Sequence, residues 1–177
     1  MDRILNALPP RAFGSATNLT ATSLDTREEL EIKYSNGKAN VEELERLGCS
    51  VIHGVNVHSM TKKLGLQKSE LYDRVVFNFP HAGLHQEVVR GFLKSAKKLV
   101  KDKSGEIHVT HKTAHPFDEW KIETLAEENG LCLIKEIEFN KFDFPGYLNK
   151  RGNGPRCNKS FPIGKSSTFI FKKRLIM

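Results

Sequence analysis

One long segment of the chain, residues 85–100, repeats apolar side chains at the spacing of an α-helix. Its opposite face carries glutamate, arginine and lysine, so the period of about 3.6 residues predicts an amphipathic helix packed on a core. The apolar face comprises Val88, Val89, Phe92, Leu93, Ala96, Leu99 and Val100.

Shorter runs of β-branched and aromatic residues alternate with helical segments along the rest of the chain. They predict strands at residues 18–24, 49–57, 72–79, 106–111, 131–139 and 168–172. Helices are predicted after the first strand up to Tyr34, over residues 41–47, and from Asp118 to Gly130. Asn40 and Glu43 have the spacing of a capping box for the second of these helices, and Asp118 is placed to cap the third.

This order of elements predicts an α/β fold. Strands that alternate with helices form a mostly parallel sheet with helices on both faces. The last two strands are expected to pair antiparallel, which makes the C-terminal strand the exception. With 177 residues, 38% of them hydrophobic, the chain suits a single domain over residues 1–177.

The charge and the cysteines bear on partners and compartment. The formal net charge is +7, with lysine and arginine spread along the sequence. Such a balance favours a polyanion such as RNA, and it fits a basic surface without a partner equally well. Cys49, Cys132 and Cys157 form no close pair, which indicates a reducing compartment. No segment approaches the roughly 20 apolar residues of a membrane span. We expect a nuclear, nucleolar or cytoplasmic protein, neither secreted nor bound to a membrane.

Polar residues stand at the ends of four predicted strands. Because the carboxyl ends of parallel strands share one edge of a sheet, these groups are expected to gather at a crevice suited to a nucleoside. In chain order the groups are Asp25, then Asn56-Val57-His58, then Asn78-Phe79-Pro80-His81, then His111-Lys112-Thr113.

These residues also have structural alternatives. Asp25 can accept the two hydroxyls of a ribose, or it can cap a helix together with Glu28. Asn56 can meet an adenine edge or close a turn. His81 can bond to a bound base and exchange a proton with it, or it can pack beneath its turn.

Seven histidines raise the question of a metal centre. His108 and His111 are three residues apart on a predicted strand, so their side chains point to opposite faces. His81 and His85 could converge only if a helix began unusually early, and no cysteine stands at ligand spacing beside them. No metal site is therefore expected.

A long connection, residues 143–167, is rich in glycine, proline and cations. Tyr147 could stack on an unpaired base, and mobile cations at Lys150, Arg151 and Arg156 could contact phosphates. Lys112, at the end of its strand, adds a further cation. The alternative is a solvated surface loop, although long loops in compact domains are usually functional or disordered.

Four segments carry a resemblance that spans nearly the whole chain. They are residues 13–25, residues 73–83 with the motif Asn-Phe-Pro-His-Ala-Gly, His-Val-Thr-His-Lys at 108–112, and Phe-Pro-Gly-Tyr at 144–147. Together they resemble the eukaryotic large-subunit (25S) ribosomal RNA (uridine-N3)-methyltransferase family, especially its plant members. The resemblance implies a Rossmann-like class I methyltransferase fold, S-adenosylmethionine as cofactor, and N3-methylation of a uridine in ribosomal RNA.

The resemblance also implies roles for individual residues. Asp25 would bind the cofactor ribose, while Asn56 and Val57 would flank its adenine. Asn78 and the carbonyl of Phe79 would orient the target base, the ring of Phe79 would stack on it, and His81 would accept its imide proton. The catalytic turn would thus consist of Asn78, Phe79, Pro80 and His81.

The N-terminal segment departs from the family pattern. Family members begin with a further strand and a glycine-rich loop around the methionine end of the cofactor. Residues 1–11 contain no glycine, so the sheet is expected to lack that first strand and its loop. This departure favours an alternative function, a catalytically inactive relative that binds RNA or a partner in ribosome biogenesis.

Overall fold

The structure is a computed structural model that describes residues 16–64, 71–80, 86–144, 146–152 and 154–174. The chain divides into two compact units. Unit 1 contains Met1–Asn56 and Asn140–Pro162, and unit 2 contains Val57–Phe139 and Ile163–Met177. The single domain over residues 1–177 stays a prediction. In the part of the chain that the structure describes, no helix has the length and apolar character to span a membrane.

Unit 1 is built on two short parallel strands and two helices. They are β1 (Thr20–Thr22), α1 (Arg27–Lys33), α2 (Gly37–Arg46) and β2 (Ser50–Ile52). Val51 of β2 packs against two apolar clusters, one that includes Leu44 and one that includes Val41, and it thereby ties the strands to the helices. A short 3-10 helix, Lys141–Asp143, also belongs to this unit.

The helix starts in unit 1 differ from those predicted. Thr26 is the N-cap of α1: its hydroxyl accepts a hydrogen bond from the N–H of Glu29, whose carboxylate accepts one from the N–H of Thr26. Asp25 therefore does not cap this helix, because the next residue already does so. The helix α2 begins at Gly37, so Asn40, the predicted cap, lies inside it. A Cβ at Gly37 would collide with the backbone of α1, so glycine lets the two helices approach closely.

Unit 2 contains a four-stranded mixed sheet. Its helices and strands are α3 (Met60–Leu64), β3 (Arg74–Asn78), α4 (Gln86–Leu99), β4 (Glu106–Lys112), α5 (Ile122–Glu128), β5 (Leu131–Glu138) and β6 (Ser166–Lys173). The strand order is β3-β4-β6-β5. β3 and β4 are parallel, whereas β6 lies antiparallel between β4 and β5. The α/β class and the antiparallel C-terminal strand are confirmed, whereas the sheet of unit 2 has one parallel and two antiparallel pairs and is therefore mixed, not mostly parallel as predicted.

The core of unit 2 lies between the sheet and α4. The rings of Phe77 and Phe92 meet with centroids 4.8 Å apart, and Leu93, Ile107 and Phe171 are fully buried. The long amphipathic helix is confirmed by these contacts, because the predicted apolar face is the buried one. The strand β3 is thereby held firmly at the point where its last residue, Asn78, begins the motif.

The start of α5 corrects another predicted cap. A 3-10 helix, Phe117–Trp120, precedes α5, and Lys121 joins them in a left-handed conformation with φ of 44°. Asp118 accepts a hydrogen bond from the N–H of Glu119, inside the 3-10 helix. Asp118 therefore does not cap α5, because the left-handed Lys121 separates the 3-10 helix from the start of α5.

Candidate functional site

Three polar side chains form a row across the sheet of unit 2. Asn78, at the end of β3, lies opposite Thr110 of β4, which lies opposite Thr168 of β6. The Thr110 hydroxyl donates to Asn78 Oδ1 at 2.9 Å and is 2.9 Å from Thr168 Oγ1. Thr110 is 2% exposed, whereas Asn78 and Thr168 at the two ends of the row are half-buried. Phe77 faces α4, and the alternation of a strand therefore directs Asn78 to the other face of the sheet.

The turn that follows Asn78 changes one predicted role. Phe79 has a φ of 49°, and its N–H donates to the carbonyl of Thr110 at 2.7 Å. Its ring is 3% exposed and meets the ring of Phe139 edge-on, with centroids 5.2 Å apart. The predicted stacking of this ring on a base is contradicted, because the ring is part of the core. Pro80 is also buried, and His81 lies outside the described residues.

Asp25 is held by charge at the carboxyl end of β1 in unit 1. Its Oδ1 accepts a hydrogen bond from Lys33 Nζ at 2.6 Å, and the side chain is 16% exposed. The carboxylate raises the pKa of Lys33 above its ordinary value, which strengthens the pairing. Because Thr26 caps α1, helix capping is excluded for Asp25, and its contact with a cofactor ribose stays a prediction. A carboxylate can accept several hydrogen bonds, so the pairing with Lys33 leaves capacity for hydroxyl groups.

Two further polar residues belong to the same end of the unit 1 strands. Ser23 is 1% exposed, and its hydroxyl has no hydrogen-bond partner among the described residues. The backbone of Ser23 pairs with β2 and the turn after it, through its N–H to Ile52 and its carbonyl to Val55. Asn56 is exposed in that turn. Val57, its predicted companion beside an adenine, is buried and belongs to unit 2.

The predicted cations are held to different extents. Lys112 Nζ lies 4.9 Å from the ring centroid of Phe117, a cation–π contact. Lys150 Nζ donates to the carbonyl of Asn158 at 2.8 Å. The side chains of Arg151 and Arg156 are exposed. Both predicted arginines therefore lie on the surface of unit 1, whereas the ammonium group of Lys150 is hydrogen-bonded within the connection.

We use the name basic loop for residues 149–159, of which Asn153 is not described. The loop is tied to the end of α1, since Cys157 Sγ donates to the carbonyl of Lys33 at 3.4 Å and Asn158 Nδ2 to Ser35 Oγ at 3.2 Å. These bonds fix two residues of the loop, and the predicted contacts of its cations with phosphates stay a prediction. Tyr147, just before the loop, is 6% exposed, so the predicted stacking of its ring on an unpaired base is contradicted.

The histidines of unit 2 serve separate contacts. His108 Nε2 donates to Glu106 Oε2 at 3.0 Å, whereas His111 packs against Trp120 with ring centroids 4.6 Å apart. The two rings therefore have different surroundings, in agreement with their predicted divergence. Within the described ranges, no three histidine, cysteine or acidic side chains stand close enough together to hold a metal ion.

Sequence reasoning missed Thr110, Thr168, Ser23 and Lys33. The pairing of Lys33 with Asp25 could have been predicted, because Lys33 lies eight residues after Asp25, at the end of the next helix. The threonines were not, because Thr110 and Thr168 are 58 positions apart and meet only through the strand order. Their signal in the sequence is an ordinary one, since threonine is common in strands.

Comparison with known proteins identifies the family. The sequence profile described as rRNA (uridine-N3-)-methyltransferase BTM5-like matches residues 7–151. The chain belongs to this family. An uncharacterized protein of Arabidopsis thaliana is 46% identical to the chain, over 90% of this chain and 83% of that protein. The predicted membership of an rRNA (uridine-N3)-methyltransferase-like family is thus confirmed.

A second relative has a stated activity. The 25S rRNA (uridine(2634)-N(3))-methyltransferase of Saccharomyces cerevisiae is 27% identical over 142 residues, which cover 56% of this chain and 42% of the yeast protein. The chain thus spans less than half the length of that enzyme.

Solved structures support the fold. The N-methyltransferase NodS of Bradyrhizobium japonicum matches with a TM-score of 0.51 and 11% identity, over 89% of this chain and 74% of NodS. At this identity the likeness concerns the fold alone, and it confirms the predicted Rossmann-like methyltransferase fold. The predicted lack of a first strand and its glycine-rich loop falls on the N-terminal residues, outside those described.

Proposed function

We propose that this chain is an S-adenosylmethionine-dependent methyltransferase that acts on N3 of a uridine in large-subunit ribosomal RNA. The observation that carries the proposal is Asn78, the first residue of the family motif, held at the end of β3 by a hydrogen bond from the buried Thr110. An amide fixed in this way can orient a flat base with little loss of side-chain entropy. This proposal includes a nuclear or nucleolar location, where such RNA is made.

The residues of unit 1 fit the adenosine end of the cofactor. The donor set is suitable because Asp25 offers a carboxylate for ribose hydroxyls and Asn56 offers an exposed amide for an adenine edge. The buried hydroxyl of Ser23, which has no partner among the described residues, supplies a further polar group at that end. When bound, S-adenosylmethionine supplies a methyl group that its sulfonium already activates.

The residues of the motif would act on the base. Asn78 would orient the uracil ring, and the backbone carbonyl of Phe79 would accept a hydrogen bond from N3–H until that proton is removed. His81 would accept the imide proton from N3, a task suited to an imidazole near neutral pH. Because a paired uridine hides N3, the substrate has to be single-stranded or flipped out of its helix.

Positive charge supports RNA as the substrate. Arg151 and Arg156 are exposed on the basic loop, and Lys112 stands at the end of β4. Contacts of such cations with phosphates bring binding energy that does not depend on sequence and that falls steeply with salt. The net charge of +7 favours the same class of partner.

A second candidate is a non-catalytic relative that binds RNA or a ribosome-biogenesis partner. It is favoured by the exposed side chains of Arg151 and Arg156, which could contact RNA phosphates without a bound cofactor. The two candidates differ in one property, the affinity for S-adenosylmethionine.

Calorimetric titration with S-adenosylmethionine separates them. We expect micromolar binding by the wild type and weaker binding by Asp25→Asn, with Asp143→Asn, an exposed aspartate of the same unit, as the matched control. Absence of binding together with salt-sensitive RNA binding would establish the second candidate.

Transfer of a labelled methyl group to single-stranded, uridine-containing ribosomal RNA tests the catalytic roles. Asn78→Ala and His81→Ala should each lower the rate on the order of 100-fold. The exposed Asn18→Ala should leave it unchanged. Unchanged rates in both motif variants would remove the roles given to these residues.

A further inference from the structure

In the row formed by Asn78, Thr110 and Thr168, counting the hydroxyl protons shows which group donates and which accepts in each hydrogen bond. A hydroxyl group has one proton to donate. If Thr110 donates to Asn78 Oδ1, it must accept from Thr168, and each of the two hydroxyl protons then has an acceptor. The Asn78 oxygen is engaged inside the sheet, and its Nδ2 keeps two protons that make no hydrogen bond among the described residues.

The reverse direction is poorer in hydrogen bonds. If Asn78 Nδ2 donated to Thr110, the two threonine hydroxyls would have only each other as acceptors, so one of their two protons would have no acceptor among the described residues. An unpaired donor costs about 1–3 kcal/mol where it is buried, as at Thr110, and less at the half-buried Thr168. The network therefore favours the direction in which the amide group of Asn78 turns its NH2 outward.

We propose that Thr110, supported by Thr168, is a positioning residue that fixes the Asn78 amide with its NH2 toward the target base. The inference deepens the proposed function and rests on it. In uracil, N3 lies between two carbonyl oxygens, and an NH2 group is a hydrogen-bond donor that matches such an oxygen. Cytosine keeps the oxygen at C2 but has an amino group in place of the oxygen at C4, and that group cannot accept. The row of Asn78, Thr110 and Thr168 thus favours uracil when the NH2 of Asn78 meets the oxygen at C4.

The expected specificity follows from the cost of an unmatched donor. A site that is built to bond a particular group rejects an analogue that lacks it, because its own polar groups stay unpaired. Without the Thr110 hydroxyl, the Asn78 amide could turn over and present its oxygen, which suits the cytosine amino group. Thr110→Val should therefore reduce kcat/KM for uridine and, more tellingly, reduce the preference for uridine over cytidine.

Enzyme kinetics provide the first test. Methyl transfer is measured with two single-stranded RNAs that differ only in one uridine or cytidine. We expect Thr110→Val to lower the uridine-to-cytidine ratio of kcat/KM on the order of 10-fold, and Thr110→Ser to restore it. The half-buried strand threonine of unit 1 in Thr20→Val is the control and should leave the ratio unchanged. A ratio equal to wild type in Thr110→Val would overturn the proposal.

The second test does not depend on turnover. In an NMR spectrum of the free protein, the Asn78 Nδ2 protons are identified by their absence in Asn78→Asp. We expect them to exchange readily with solvent and to shift when uridine 5′-monophosphate is added, more than with cytidine 5′-monophosphate. Protection from exchange would show that Nδ2 is bonded within the sheet, which overturns the proposal. If the wild type transfers no methyl group, the proposed function fails. The exchange of the Asn78 Nδ2 protons still decides which way the amide is turned.

Discussion

The two units hold their strand-end residues in different ways. In unit 1, Asp25 lies three positions beyond a three-residue strand and is fixed by one ion pair with Lys33. In unit 2, Asn78 is the last residue of β3 itself and is fixed by hydrogen bonds that continue across β4 to β6. The first residue depends on a local pair of charges, and the second depends on the register of a sheet.

This difference suits the parts that the two residues are proposed to play. A ribose presents hydroxyl groups that can turn toward a carboxylate, so one ion pair is sufficient to position Asp25. A uracil ring presents fixed acceptors in one plane, so the amide of Asn78 must have a defined direction. Thr110 and Thr168 provide this direction with little loss of side-chain conformational entropy, because β-branched residues have few rotamers.

The largest effect is expected where the sheet of unit 2 rests on its helix. Phe77→Ala removes the ring that packs on Phe92 and should lower the free energy of unfolding by about 3–5 kcal/mol. Val76→Ala, its neighbour on the same strand, is 37% exposed and should cost much less. Fluorescence of Trp120, the one tryptophan of the chain and buried in unit 2, follows unfolding in denaturant. Equal losses in the two variants would show that β3 is not held by this core.

A smaller effect is expected at the start of α1 in unit 1. Thr26→Ala removes the hydroxyl that accepts from the N–H of Glu29, keeps the bond from its own backbone N–H to the Glu29 carboxylate, and should cost about 1 kcal/mol. Asn40→Ala replaces a residue inside α2 and should cost nothing or stabilise slightly, because alanine favours helix interiors. Circular dichroism in urea measures both. If Asn40→Ala is the more costly change, α2 begins where the sequence predicted, and the structure of this segment is wrong.

These outcomes also mark what the sequence could predict. The amphipathic face of α4 was predicted correctly because its signal repeats over a long helix and needs no partner. Asp25 and Asn78 were named as candidates because each lies at or near the end of a strand-like run, and their roles stay predictions. The caps at Asn40 and Asp118 were wrong because spacing alone does not say which of several nearby polar residues begins a helix.

The remaining features depend on contacts between distant parts of the chain. Thr110 became relevant only when the order β3-β4-β6 placed it between Asn78 and Thr168. Tyr147 and Phe79 have rings suited to stacking, but both are buried by contacts that the sequence does not reveal. An aromatic residue in a motif is thus an ambiguous signal, since burial of the ring is worth as much as contact with a ligand.

The ion pairs of the two units should respond to opposite ends of the pH range. Lys33 has its pKa raised by Asp25, so this pair stabilises the fold below the ordinary value of 10.5 and is lost as pH rises through the folded pKa. Glu106 has its pKa lowered, chiefly by the hydrogen bond from His108 and also by Arg74. It stabilises the fold above the ordinary value of 4.5, and this contribution is lost as pH falls through the folded pKa.

The smallest predicted effect is the loss of stability at low pH that comes from Glu106, and Glu106→Gln removes the carboxylate responsible for it. Removal of the carboxylate should make the free energy of unfolding, measured by Trp120 fluorescence, fall less steeply with decreasing pH below about 4.5 than in the wild type. The difference at neutral pH should stay below about 1 kcal/mol, because the side chain is partly exposed. Glu123→Gln, an exposed glutamate of α5, is the control and should leave the slope unchanged. Parallel pH curves for wild type and Glu106→Gln would mean that the bond from His108 does not couple this carboxylate to folding, and that unit 2 is stabilised by its sheet and core alone.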